Sequence, residues 1–140
     1  MCSSDLPRLL GYAQCIHIPG TGTYALNGSA RSGGGNVSEY NRTALIWELR
    51  PDGGEGCIDG PITLGSELTL STTDAWSRPA LPAIINVPAA TWTSNTSVTV
   101  ILAVYPNAAN TFNGVFDRIT LEIAGTPLPN GVFGDGFEAP

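Results

Sequence analysis

The segment Ser97-Val98-Thr99-Val100-Ile101-Leu102-Ala103-Val104-Tyr105 constrains this chain more than any other part of it. Successive strand side chains point to opposite faces. Val98, Val100, Leu102 and Val104 therefore share one face, and Thr99, Ile101, Ala103 and Tyr105 share the other. Both rows are apolar enough to be covered, which predicts a central strand nearly buried on both faces. The rest of the chain has to supply its neighbours.

It supplies them in short alternating pieces, over Gln14–Ile18, Gly22–Ala30, Thr43–Leu49, Ile62–Leu70 and Ala83–Val87. Val115–Ala124 alternates most cleanly. Ile119, Leu121 and Ile123 are expected inward, with Phe116, Arg118, Thr120 and Glu122 outward, as in a half-exposed antiparallel strand. Clusters at Gly33–Asn36, Pro51–Gly54 and Pro106–Asn110 read as turns, since proline sets φ and Asn or Gly tolerates the left-handed region. No apolar face of helical period persists for three turns, and lysine, a good helix former, is absent. With 17 glycines and 11 prolines the chain is punctuated for an all-β, antiparallel β-sandwich in a single domain.

Composition removes whole classes of function. The net charge is −6, and six scattered arginines cannot assemble the basic patch of a nucleic-acid binder. Charged residues are only 13% of the chain, yet 42% hydrophobic content is too high for a disordered one. The uncharged stretch between Arg78 and Asp117 is broken by Pro82, Pro88 and Pro106, and its longest apolar run, Val100–Tyr105, falls far short of the ~20 residues of a membrane span. Catalysis is also disfavoured. His17 is the only histidine, so a nucleophile has one neutral-pH base to draw on, and no hydrolase, zinc-protease or phosphate-cradling motif appears. Glu48 and Glu122 could form a carboxylate pair, but twelve acids on a β surface supply such pairs by chance. The expectation is a non-catalytic chain.

The two ends look different from the middle. Met1-Cys2-Ser3-Ser4-Asp5-Leu6 resembles the translation of a sequencing-adapter end, which implies a metagenomic fragment whose own N-terminus lies upstream. On that reading residues 1–6 are non-native, 7–126 form the sandwich, and 127–140 form a C-terminal tail. The tail carries Asp135-Gly136-Phe137-Glu138 and resembles a short C-terminal motif of predicted secreted bacterial proteins. Phe133 or Phe137 is expected to dock on the domain. Setting Cys2 aside leaves Cys15 and Cys57 as a pair, either bridged between neighbouring strands or present as two buried thiols; the bridge is the expectation for an exported protein.

The order of features along the chain resembles a galactose-binding-like jelly roll. It is carried by Gln14-Cys15-Ile16-His17-Ile18, Tyr24 to Arg31, Cys57, Trp76, Ile85-Asn86-Val87-Pro88, Val98–Tyr105 and Phe116-Asp117-Arg118-Ile119-Thr120-Leu121, from about residue 13 to 124. The family's first strand would lie upstream of Gln14, so the resemblance implies truncation at the N-terminus. It also implies a carbohydrate-binding module attached to a secreted or cell-surface bacterial protein, with its partner domains upstream. Asp117 matches the family's last-strand aspartate, so one structural calcium ion, or no cofactor, is expected. Sugar binding needs an aromatic platform with polar groups at its rim. Trp76 and Trp92, in polar loops, are the expected contacts with a polysaccharide, with Tyr105 behind them; Trp47, alternating with Leu45 and Leu49, is expected in the core. The other reading is a structural or adhesive surface domain with no small ligand.

Overall fold

The computed structural model describes residues 10–33, 42–105, 113–123 and 126–127. These form strands β1 (Leu10–His17), β2 (Gly22–Gly33), β3 (Arg42–Arg50), β4 (Leu64–Ser71), β5 (Ala83–Val87), β6 (Ser97–Tyr105), β7 (Asn113–Ile123) and β8 (Thr126–Pro127). Sheet A has the order β1-β6-β3-β4 and sheet B the order β5-β2-β7-β8. Every pairing is antiparallel. The chain is an antiparallel β-sandwich, as the alternation predicted. Among the described residues no helix is long and apolar enough to cross a membrane. The adapter-like segment at residues 1–6, the turn at 106–110 and the tail from residue 128 lie outside the described residues.

The segment with two apolar faces is β6, and it runs between β1 and β3. Its inner row, Val98, Val100 and Leu102, packs with Leu45, Trp47 and Leu49 of β3 and with Tyr24, Leu26, Ile85 and Leu121 from sheet B. Trp47 is buried in this core, as expected. Its outer row is covered too: Ala103 is buried with Ala44, beside half-buried Ile46 and Tyr105. Burial on both faces thus comes from the opposite sheet on one side and from the strand's own neighbours on the other.

Strand β7 departs from its predicted phase. Phe116, expected outward, is buried in the core together with Ile119 and Leu121. The register explains this. Ser29 pairs with Asp117 and Asn27 with Thr120, so Arg118 and Ile119 together face the single Gly28. That extra residue is a β-bulge. Arg118 absorbs it with φ of 50°, in the left-handed region. Even-numbered residues before the bulge and odd-numbered ones after it then point into the same core. Gly28 completes the arrangement, because a Cβ there would come within 2.5 Å of Ile119 Cδ1.

Cys15 and Cys57 form a disulfide, with Cα atoms 5.4 Å apart. The bridge does not join two strands, as the sequence had led us to expect. Cys57 sits in the β3–β4 loop, which folds back over sheet A: Gly53 N donates to Asn95 O, Ile58 N donates to Gly53 O, and Thr99 Oγ1 donates to Cys57 O. Gly54 and Gly60 take the left-handed conformations the reversal needs, with φ of 68° and 66°. The disulfide therefore reaches across β6 from edge strand β1 to a loop of β3. Such a bond fits an oxidising compartment.

Candidate ligand face on sheet B

Strand β5 covers only part of the edge of β2, from Gly22 to Leu26. Farther along, the β4–β5 connection takes its place. Ser77 and Ala30 exchange both backbone hydrogen bonds, at 2.9 and 3.0 Å, and Asn27 Nδ2 donates to Pro79 O at 3.0 Å. These bonds hold Trp76 and Arg78 beside the outer face of sheet B.

Trp76 remains 52% exposed. The Arg31 guanidinium lies 5.7 Å from its ring centroid, at the outer limit of a useful cation–π contact. Arg78 reaches inward over β2 to β7. Its Nη1 donates to Arg118 O at 2.8 Å and to Ser29 Oγ at 3.4 Å, and its Nη2 donates to Thr120 Oγ1 at 3.2 Å. Ser29 is buried beneath this arm although it points away from the core. The bulge carbonyl of Arg118, left without a regular ladder partner, is what the guanidinium satisfies.

Asp117 is not the inward carboxylate the strand pattern predicted. It is half-buried on the outer side of β7, opposite Ser29, and its Oδ1 accepts the N–H of Arg118 at 2.8 Å. Calcium collects six to eight oxygens, many of them backbone carbonyls. Here the neighbouring carbonyl, Arg118 O, already accepts from Arg78. Among the described residues no three metal-ligating side chains come together. Beside Asp117 the charged group that the carbonyl engages is thus a guanidinium.

The three aromatics expected at a ligand site do not share a surface. Trp92 is half-buried against the end of the core, its Nε1 donating to Ile18 O at 3.2 Å. It lies near the Gly22 end of β2, because Val87 pairs with Gly22, whereas Trp76 lies near Ala30. At ~3.3 Å per strand residue those ends are roughly 25 Å apart. Tyr105 is on the other sheet, on the outer face of β6. The Arg42 guanidinium sits 3.9 Å above its ring, and its hydroxyl donates to Glu67 Oε1 at 2.7 Å. One face of that ring is already covered.

Burial, and then the bond to the Glu67 carboxylate, push the Tyr105 hydroxyl up to about 12. The folded value exceeds the unfolded value of about 10, so the contribution to stability is complete below pH 10 and is lost as pH rises towards 12. Burial also raises the Tyr24 hydroxyl, so a spectroscopic titration of tyrosinate in the native protein should show, beside a Tyr24 component, a late component from Tyr105. Tyr105→Phe should remove the Tyr105 component and no other; an unchanged titration would refute the assignment.

Arg31, Arg78 and Arg118 are the site residues the sequence reading missed. The parity of Arg31 with Asn27 and Ser29 along β2 was a usable signal for an outward position. Nothing local marks Arg78, whose partners lie about forty residues away. Compared with family models, curated proteins and solved structures, the chain matches none of them.

Proposed function

We propose that this chain is a non-catalytic binding module whose ligand is a carbohydrate, carried by a larger exported bacterial protein. The observation that supports this most is Trp76. It is a half-exposed indole held by two backbone hydrogen bonds at the next residue, Ser77, with polar groups from Arg31, Asn27 and Thr120 on the same side of the sandwich. An indole face matches the C–H surface of a sugar ring, and its polar rim matches the hydroxyls. The resemblance of residues 13–124 to galactose-binding-like jelly rolls and the Asp-Gly-Phe-Glu tail support the same reading, and the disulfide supports secretion. Calcium is not part of the proposal.

The second reading, a structural or adhesive domain without a small ligand, is favoured by the placement of Trp92 and Tyr105, both held by contacts within the domain. Retention on insoluble polysaccharides separates the two. A single exposed platform supports weak binding, with dissociation constants in the µM to mM range. Trp76→Ala should abolish retention with an unchanged far-UV spectrum, whereas Trp92→Ala should lower the Tm by opening the end of the core. Wild-type protein that is retained on no polysaccharide, with Trp76 shielded from a collisional quencher, would leave the structural reading in place.

A further inference from the structure

We infer that the outer face of sheet B is built for an anionic saccharide, a glycan bearing carboxylate or sulfate groups; this deepens the carbohydrate reading and rests on it. The five arginines among the described residues are divided between the two sheets. On sheet A, Arg42 pairs with Glu67 at 3.0 Å and Arg50 with Glu48 at 3.3 Å. Arg31, Arg78 and Arg118 have no carboxylate within ion-pair distance among the described residues; Arg31 lies over the Trp76 ring, Arg78 follows Trp76 by two residues, and Arg78 bonds the carbonyl of Arg118.

The strand register places them together. Arg31 is two positions along β2 from Ser29, which Arg78 covers, and Arg118 is the bulged residue whose carbonyl Arg78 binds. Three acids occur nearby. Asp117 accepts the backbone N–H of Arg118, Glu122 lies farther along β7 opposite Ala25, and Asp74 precedes Trp76 in the connection. Among the described residues none of them is ion-paired with an arginine. On a chain of net charge −6, the described arginines without carboxylate partners belong to sheet B or to the connection at its edge, and one of them lies over the exposed Trp76.

That combination selects a ligand chemistry. A guanidinium presents parallel N–H donors that match a carboxylate or a sulfate, while the indole takes the sugar ring carrying it. Arg118 is exposed and free to donate, and the Arg31 guanidinium lies over the Trp76 ring, 5.7 Å from its centroid. Arg78, engaged with three neutral acceptors, is the positioning residue: it fixes the bulge from which Arg118 projects.

The test uses the full chain against polygalacturonate (carboxylate), dextran sulfate (sulfate), uncharged dextran and galactan, and single-stranded DNA. The expected result is retention on one or both anionic glycans, the retaining arm identifying the anion. Arg31→Gln and Arg118→Gly should each weaken binding about tenfold, the equivalent of one charge-assisted hydrogen bond. Glycine adopts the φ of 50° at position 118 without penalty, so Arg118→Gly should keep the wild-type Tm; should it unfold, Arg31→Gln carries the test. Equal retention on neutral and anionic glycans, unaffected by Arg31→Gln, overturns the anionic inference while the carbohydrate reading stands. Retention on DNA equal to that on the glycans overturns it as well, by showing an unselective anion surface. Failure on every glycan overturns both.

Discussion

Phe116→Ala is expected to destabilise the domain by about 3–5 kcal/mol, a large part of the ~5–15 kcal/mol that holds an ordinary domain folded. Phe116 is 1% exposed and packs in the central core. Truncating it leaves a cavity between two sheets whose backbones are fixed by their ladders and cannot close over it. The comparison that gives this result meaning is Arg118→Gly, two residues on, which should leave the unfolding midpoint nearly unchanged. Simple alternation along β7 predicts the opposite for Phe116, a small effect at an outward position. Denaturant unfolding of the two variants decides between the phases. A wild-type midpoint for Phe116→Ala would mean that the bulge is misplaced.

Replacing Cys15 and Cys57 together with alanine should cost about 4 kcal/mol on chain-entropy grounds, given their sequence separation of 42. The loss is larger than that of a surface staple because the bridge also holds the β3–β4 loop over Ser97 and Thr99. Intact-mass analysis after alkylation without reductant should find neither thiol labelled. Label on both Cys15 and Cys57, in protein made under oxidising conditions, would refute the bridge.

These two sites also mark where the sequence was legible. The seven longer strands were readable because a sandwich strand with one covered face needs period-2 alternation, and the turn residues between strands are chemically distinct. The phase of β7 before residue 118 was not read correctly. One inserted residue inverts every assignment on one side of it, and the residue that takes the left-handed conformation is an arginine, which advertises nothing. The signal that existed was on the partner strand: a glycine inside an otherwise regular strand, Gly28, marks a close approach. At the candidate site, Trp76 and Trp92 were indistinguishable as two tryptophans in polar loops. Their fates diverge through backbone bonds. Trp92 N donates to Pro88 O, which turns the ring towards Ile18, whereas the Ser77–Ala30 exchange holds Trp76 beside the open face. Such bonds join residues far apart in the chain, and no local pattern encodes them. The disulfide partners were foreseeable by counting; the folding of the β3–β4 loop back over sheet A was not.

The disulfide-held β3–β4 loop also determines how tension would travel through the molecule. A pull on the chain ahead of Leu10 peels β1 from β6, breaking the pairs from Leu10↔Val104 to Gln14↔Val100 one after another. At Cys15 the peeling stops, because the next link is covalent. The load passes through the disulfide to Cys57 and along the loop to Arg50, at the end of β3. That strand is paired on both sides, with β6 and β4. Force that enters at an edge strand is thus delivered to the interior of the sheet, where many hydrogen bonds must shear together before anything yields.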